Sequence, residues 1–351
     1  MKKASAVLFL AVWLISVAFL VDVNSEEPGK GKSFFSTSLH YTTGGMSYWY
    51  HKDRGGLETV TDIPYDSPKL DCLNCHISTC DRCHKTEADG KMFYSAKAAA
   101  SAGVCLSCHK REAAVANIDK AANQTDVHIS KGMQCMNCHS GREVHGDGVQ
   151  YASMKQQGVM DTSCEKCHKT ISPSTSHKIH GDKLECKACH VRHVLSCTNC
   201  HVGTIINEHK RVDIKLSGWI FLMNYNGKVT SANMQTYVAP GDKTFMMFAP
   251  QNSHSIMKEG RKCGECHGTE TVKKVQGGKI KLIWLEGKEV KHLAGVVPVV
   301  AGTEYDCAYQ NYQNGGWTPI ENPPAPGVQY AGYGAPLSKE QLKKLAMPMG
   351  K

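Results

Sequence analysis

Alternating hydrophobic and polar residues occur mainly in the second half of the chain. Strand-like runs at 219–225 and 229–238 flank Asn226-Gly227, a dipeptide that favours a tight hairpin turn. Pro240-Gly241-Asp242 marks a second turn before the run at 244–248. The pattern therefore predicts a small three-stranded β insertion.

Helical patterns are short and few. The alanine-rich stretch 111–124 is the best helix candidate, because alanine has the highest helix propensity. Near the C-terminus, Ser338 and Gln341 have the spacing of a capping box, and Leu337 and Leu342 have that of a hydrophobic staple. We expect a helix to start at this point.

The N-terminus has the layout of a secretory signal. Lys2 and Lys3 precede an uncharged apolar run at 4–21, and small residues lead up to Ser25. We expect cleavage near Ser25 and export of the remaining chain. The run is also long enough to cross a membrane, so retention as an N-terminal anchor stays open.

Cysteine is the most unusual feature of the composition. The chain has 17 cysteines, a number that in an exported protein ordinarily indicates disulfides. Sixteen of them, however, lie in Cys-x-x-Cys-His motifs. The eight motifs, first to eighth, are Cys72-Cys75-His76, Cys80-Cys83-His84, Cys105-Cys108-His109, Cys135-Cys138-His139, Cys164-Cys167-His168, Cys186-Cys189-His190, Cys197-Cys200-His201 and Cys263-Cys266-His267.

This motif has a specific chemical meaning. Two thiols one local turn apart form thioethers with the two vinyl groups of one haem, and the adjoining histidine binds the iron as proximal ligand. Zinc sites use Cys-x-x-Cys pairs without requiring the histidine each time, and iron–sulfur motifs have other spacings. Eight occurrences therefore favour eight covalently attached haems c over disulfides, zinc or iron–sulfur clusters.

On these motifs, from Cys72 to His267, the chain resembles multihaem c-type cytochromes. In motif count and in its close first two motifs it resembles the octahaem tetrathionate reductase and hydroxylamine oxidoreductase-like cytochromes. The resemblance implies a mainly irregular and α-helical multihaem cytochrome c fold, with short helices around a haem core. A small β insertion and a β/coil C-terminal tail are expected in addition.

Ten histidines lie outside the motifs, which is enough to give every iron a second axial ligand. We expect eight of them to be these distal ligands: His40, His128, His145, His180, His193, His209, His254 and His292. The other two, His51 and His177, are treated as spares, because His51 lies in a charged run and His177 is only three residues from His180. Bis-histidine ligation gives low-potential haems.

The predicted organisation follows the motifs. The segments are a signal peptide at 1–25, an N-terminal segment at 26–70 that packs on the first haem through Tyr48, Trp49 and Tyr50, a seven-haem domain at 71–210, a β-hairpin insertion at 211–253, the eighth haem at 254–270 and a haem-free C-terminal wrap at 271–351 with a strand-like run at 279–285.

Motif spacing keeps the haems close together. Four residues from His76 to Cys80 span at most about 14 Å, and seven from His190 to Cys197 at most about 25 Å. Because tunnelling falls off steeply with distance, we expect a periplasmic or extracellular electron carrier in anaerobic respiration or extracellular electron transfer. Its expected partners are a membrane quinol oxidoreductase and periplasmic or outer-membrane cytochromes. The net charge of +9 is offset by haem propionates, so no nucleic-acid partner is expected.

Two other functions stay open. The resemblance includes enzymes in which one open iron converts a small nitrogen or sulfur compound. Cys307, which lies outside the motifs, is then the candidate catalytic residue, against the simpler interpretation as a buried thiol. The chain could also form a homo-oligomer or an extracellular filament in which His40 or His51 binds iron in the next subunit.

Overall fold

The computed structural model describes residues 34–70 and 76–348, so the predicted signal peptide and Cys72 and Cys75 of the first motif lie outside the described residues. Within these ranges only α7 and α14 reach eight residues. The α-helices are α1 (Leu39–Thr42), α2 (Gly44–Tyr50), α3 (Glu58–Thr61), α4 (Asp81–His84), α5 (Ala96–Ala99), α6 (Ala102–Cys108), α7 (Lys110–Ala121), α8 (Gly141–His145), α9 (Thr175–His180), α10 (Cys186–His190), α11 (Val202–Glu208), α12 (Cys263–Cys266), α13 (Glu270–Gln276) and α14 (Lys339–Ala346).

The strands are concentrated after residue 193. They are β1 (Lys85–Ala88), β2 (Lys91–Tyr94), β3 (Val194–Thr198), β4 (Cys200–His201), β5 (Ile214–Tyr225), β6 (Lys228–Ala239), β7 (Lys243–Pro250), β8 (Lys279–Glu286), β9 (Glu289–His292), β10 (Gly295–Pro298), β11 (Glu304–Cys307), β12 (Gln310–Gln313), β13 (Gly316–Pro319) and β14 (Gly327–Tyr330). They form a seven-stranded sheet, a three-stranded sheet (β11-β8-β9) and the hairpins β1-β2 and β12-β13.

The seven-stranded sheet is the centre of the C-terminal half. Its order is β10-β5-β6-β7-β14, and β5 and β6 form the predicted hairpin. Asn226 and Gly227 have φ angles of 48° and 76°, the left-handed values that this turn requires. At the other end of the hairpin β3 pairs with β5 and β4 pairs with β6, so segment 194–201 lies between the two long strands.

The main hydrophobic core lies on this sheet. Trp219 and Phe221 of β5 and Phe248 of β7 are fully buried, and they share one cluster with Val272 of α13 and Leu342 of α14. Burying a side chain of this size contributes about 1.5–3 kcal/mol to stability. The second half of the chain therefore has a core made of its own side chains.

A second cluster joins the N-terminal segment to the sheet. Tyr50, Tyr65 and Leu70 pack with Val202 of α11 and Ala239 of β6. The Tyr50 hydroxyl donates to the carbonyl oxygen of Ile63 over 2.7 Å. The other predicted aromatics contact Tyr333, with the ring of Trp49 5.1 Å and that of Tyr48 6.1 Å from its ring.

The mainly irregular and α-helical fold is wrong as a prediction. The three predicted strands are present as β5, β6 and β7, but they are the centre of a seven-stranded sheet rather than a small insertion. The prediction of the fold class was based on the motifs and did not consider the apolar residues of β5, β8 and β10. These residues are buried against one another in one hydrophobic core.

Several local predictions are confirmed. The alanine-rich helix is α7, and the strand-like run at 279–285 is β8. At the start of α14 the Gln341 backbone N–H donates to Ser338 Oγ, and the Ser338 N–H donates to Gln341 Oε1. Among the described residues no helix is long and apolar enough to cross a bilayer.

Candidate functional site

Six motifs share one backbone conformation, a single helical turn. In the sixth motif this turn is helix α10. In the others the histidine N–H donates to the carbonyl of the first cysteine: His84 to Cys80 over 2.9 Å, His109 to Cys105 over 3.0 Å, His139 to Cys135 over 3.0 Å, His168 to Cys164 over 2.9 Å and His267 to Cys263 over 2.8 Å. The turn brings both sulfur atoms and the imidazole to one side of the backbone.

Each of these six motif histidines faces one histidine from outside the motifs. The ring-centroid distances are His84–His145 5.9 Å, His109–His40 6.1 Å, His168–His128 6.1 Å, His139–His254 6.2 Å, His190–His177 6.2 Å and His267–His180 6.2 Å. The near-constant separation is the main geometric feature of this region.

The separation fits a metal held between two imidazoles. A bound metal lies about 2 Å from an imidazole nitrogen, so rings on opposite sides of one iron have centroids about 6 Å apart. A direct hydrogen bond between two rings would bring them closer. The residues of these six motifs therefore fit covalently attached haem with two axial histidines.

Hydrogen bonds orient five of the six non-motif histidines in the same way. Each of the five presents Nδ1 to an oxygen acceptor, which assigns the proton to Nδ1 and leaves Nε2 as the ligand atom. The acceptors are the carbonyl oxygens of Val144 for His40, Gly141 for His145, Ser172 for His177 and Ser176 for His180, and the carboxylate of Glu112 for His254. Nδ1 of His128 makes a longer contact of 3.4 Å with the carboxylate of Asp126.

The fourth motif has a carboxylate behind both of its histidines. Glu143 Oε2 lies 2.6 Å from Nδ1 of His139, and Glu112 Oε2 lies 2.7 Å from Nδ1 of His254. The hydrogen bond with Glu112 raises the pKa of His254. Burial alone would raise the pKa of Glu143, but its hydrogen bonds with His139 and Thr162 outweigh burial and lower it. Both histidines of this pair therefore donate to a carboxylate, whereas four of the other non-motif histidines donate to backbone carbonyls.

The six helical-turn motifs form a continuous series, called here the motif row. Burial is the main cause of the raised thiol pKa of Cys83, Cys105, Cys138 and Cys189. For Cys164 the main cause is a hydrogen bond with Cys186. In each case a cysteine of another motif also raises the pKa: Cys108 for Cys83, Cys135 for Cys105, Cys167 for Cys138, Cys186 for Cys164 and Cys263 for Cys189. The order along the row is second, third, fourth, fifth, sixth, eighth.

Arg142 fixes the loop between the fourth and fifth motifs. It lies on α8, the helix that carries His145, and donates to Asp161 over 2.6 Å and to Asp147 over 2.7 Å. These hydrogen bonds raise the pKa of Arg142 and lower that of Asp161 to about 2. The charged cluster holds α8 in place against the loop and so orients His145.

The first motif is described only at its histidine. The His76 ring lies 5.2 Å from the ring of Tyr41, the neighbour of His40. Among residues 34–70 and 76–348 no histidine ring is paired with His76. Within the described residues, His76 therefore faces a tyrosine ring, whereas each histidine of the motif row faces a second histidine.

The seventh motif has a different backbone. Cys197 lies in β3, Cys200 and His201 form β4, and Asn199 between them has a φ of 52°. The His201 N–H donates to Val212 instead of Cys197. Extended residues project their side chains to alternate faces, so this segment lacks the one-sided arrangement of the motif row.

Three of the predicted distal ligands lie elsewhere. His193 is buried, with Nε2 2.8 Å from Asp119, and His292 packs its ring 4.8 Å from that of Trp219. His209 ends α11 with a φ of 52°. None of the three faces a motif histidine in the described part of the chain.

His177, treated as a spare, faces His190, whereas His51 contacts Glu58. His177 and His180 lie on one short helix, α9, yet face the sixth and eighth motifs respectively. The signal in the sequence was their i, i+3 spacing, which places two ligands side by side on a helix.

Cys307 lies in the main core at the end of β11. Its side chain is buried, and burial raises the pKa of the thiol. Neighbouring Tyr305 is also buried, and its hydroxyl donates to the carbonyl oxygen of Pro298. The surroundings are those of a packed thiol rather than of an accessible nucleophile.

No cluster of three or more His, Cys, Asp or Glu side chains suited to a metal ion occurs in the described residues.

Comparison with known proteins gives one partial similarity. No protein-family model and no solved structure matches the chain. The dissimilatory sulfite reductase MccA of Wolinella succinogenes is 26% identical over 167 residues, which covers 38% of this chain and 23% of that protein. With the eight motifs, this similarity supports a multihaem redox protein.

Proposed function

We propose that the chain is an exported c-type cytochrome that carries electrons along eight haems, one attached to each Cys-x-x-Cys-His motif. The observation that carries this proposal is the set of six histidine pairs, each joining one motif histidine to one non-motif histidine at 5.9 to 6.2 Å. Bound haem c supplies reversible one-electron exchange at its iron.

The chain's own residues hold and orient each site. The cysteines of the helical turn would attach the haem, and the paired histidines would hold its iron, with the tautomer of the distal ring fixed by its Nδ1 acceptor. Because the ligands are held from separate segments, the closed fold is what brings the two halves of each site together. His109, for example, meets His40 from the N-terminal segment.

The order of the motif row supports conduction over short steps. Cysteines of successive motifs influence one another's pKa, so neighbouring attachment points are close in space. Haems attached at such points would exchange electrons over short steps, and two histidines per iron would keep the potentials low. An electron can therefore enter near the second motif and leave near the eighth, or the reverse.

The proposed cellular role follows from the N-terminal signal. Export places the protein in the periplasm or outside the cell, in anaerobic respiration or extracellular electron transfer. The proposed partners are a membrane quinol oxidoreductase as electron donor and periplasmic or outer-membrane cytochromes as acceptors.

Spectroscopy of the holoprotein tests the proposal. Low-temperature electron paramagnetic resonance and magnetic circular dichroism of the oxidised protein are expected to give low-spin ferric signals from at least six haems per chain. Stepwise reductive titration is expected to give several one-electron steps at low potential. Absence of haem c absorbance, or high-spin iron at most sites, would refute the proposal.

A second candidate is a redox enzyme, favoured by the similarity to a dissimilatory sulfite reductase and by the Tyr41 ring beside His76. In this candidate a small sulfur or nitrogen compound binds at an open first haem. A high-spin ferric signal from one haem, shifted by sulfite or nitrite and lost in the His76→Ala variant, supports it. Purely low-spin spectra that neither anion changes exclude it.

A further inference from the structure

The seventh motif has the same five-residue pattern as the motif row but a different set of contacts. Its backbone is paired on both sides, with Cys197 opposite Lys215 of β5 and Cys200 opposite Tyr237 of β6. Cys200 is only 7% exposed, although the cysteines of the motif row are half-buried or exposed. The backbone of both cysteines is therefore paired within a sheet, and the Cys200 side chain is buried there.

The His201 ring has the opposite tautomer from the proposed iron ligands. Its Nδ1 accepts the backbone N–H of Thr204 over 3.1 Å, which makes His201 the N-cap of α11. Its Nε2 lies 2.6 Å from Asn311 Oδ1. Because Nδ1 accepts, Nε2 carries the proton and donates to Asn311.

The orientation of Asn311 is fixed independently. Its Nδ2 donates to Asp242 Oδ1 over 2.8 Å, and its Oδ1 also accepts the N–H of Tyr312 over 2.9 Å. Oδ1 is thus the acceptor that faces His201. The atom that would have to bind iron is already a donor in a three-residue chain, His201 to Asn311 to Asp242.

The neighbours of the His201 ring also differ from those in the motif row. A β-carbon at Gly203 would lie 2.9 Å from Cε1 of His201, so any other residue at this position would have to shift the His201 ring. The Tyr312 ring centroid is 6.3 Å from that of His201, and no second histidine faces it in the described residues. The His201 ring thus faces a tyrosine, whereas each histidine ring of the motif row faces a second histidine.

We infer that the seventh motif binds no haem and instead connects helix α11 to the β12-β13 hairpin. His201 caps α11 and binds the β12-β13 hairpin through Asn311, while Cys197 and Cys200 remain without thioether bonds. This inference rests on the proposed function, in which haem attaches to motifs that fold as a helical turn. It reduces the expected number of haems per chain from eight to seven.

Tryptic peptide mapping of the holoprotein is a direct test. Cleavage after Arg192 and Lys210 gives one peptide, 193–210, that contains the whole seventh motif, and cleavage after Lys262 and Lys273 gives peptide 263–273 with the eighth. We expect 193–210 without haem, its cysteines recovered as alkylated thiols or as a disulfide, and 263–273 with haem. Haem on 193–210 would overturn the inference. Absence of haem from 263–273 would instead refute the proposed function.

A variant pair gives a second readout. The double substitution Cys197→Ala/Cys200→Ala is expected to leave intact mass and pyridine haemochrome content at seven haems per chain. The matched substitution Cys186→Ala/Cys189→Ala in the sixth motif is expected to lower both by one haem. Loss of one haem from the seventh-motif variant would contradict the inference. If a variant does not fold, the peptide map of the unmodified holoprotein still tests it.

Discussion

The sixth and seventh motifs are only seven residues apart, yet they have opposite conformations. Cys186–His190 forms a helical turn whose histidine faces His177, whereas Cys197 and Cys200 lie in strands and His201 faces Asn311. The sixth has Lys187-Ala188 between its cysteines, both good helix formers, and the seventh has Thr198-Asn199, both poor ones. The same five-residue pattern therefore adopts two backbone conformations, and the residues between the cysteines help to decide which one forms.

Removing a distal histidine should have the largest effect, and only in the motif row. His177→Ala leaves the sixth-motif iron with one protein ligand, so we expect one haem to change from low-spin to high-spin in the ferric state. Electron paramagnetic resonance measures the change. His51→Ala, which removes an exposed histidine bound to Glu58, is the control and should leave every haem low-spin. Unchanged spectra of the His177 variant would contradict the pairing.

Asn311→Ala tests the other side of the comparison. It leaves the buried Nε2–H of His201 without an acceptor, which costs about 1–3 kcal/mol in the free energy of unfolding. Chemical denaturation followed by circular dichroism measures the loss, and haem content should not change. Gln313→Ala, at the exposed end of the same strand, is the matched control. A variant as stable as this control would argue against the His201 connection.

The carboxylates of the fourth motif sharpen the description of the row. Glu112→Gln weakens a charged hydrogen bond to the distal His254, so the ferric state loses about 1 kcal/mol. This corresponds to a rise of about 40 mV in one haem potential. Spectroelectrochemical titration measures it, with Glu270→Gln, an exposed carboxylate paired with Lys273, as control. Equal potentials in both variants would exclude a tuning role for Glu112.

The smallest effect is expected where no motif is involved. Ser338→Ala removes the N-cap of α14 and should cost about 1 kcal/mol, while haem spectra and potentials stay the same. Lys339→Ala, on the next residue, lacks a capping role and serves as the reference for the shift in denaturation midpoint. A change in the haem spectra would show that the packing of α14 affects the motif row.

Prediction from the sequence succeeded where the signal is local. The hairpin at Asn226-Gly227 and the capping box at Ser338 were predicted correctly, because each depends on a few neighbouring residues. The fold class was wrong because the motifs drew attention from the apolar strands. His193 was expected to be a ligand because it follows a motif at short range, and His292 was assigned to a site that remained; neither basis carries information about the buried Asp119 and Trp219 beside them.

The kind of chemistry can be read from the sequence, because each cysteine pair and its histidine lie within five consecutive residues. Which histidine faces which motif, and which motif is extended, depends on how the chain folds. His40 and His109 meet through contacts between distant segments, and β3 and β4 are held between β5 and β6 by long-range hydrogen bonds. Such pairings depend on the packing of the whole chain, which no short stretch of residues encodes.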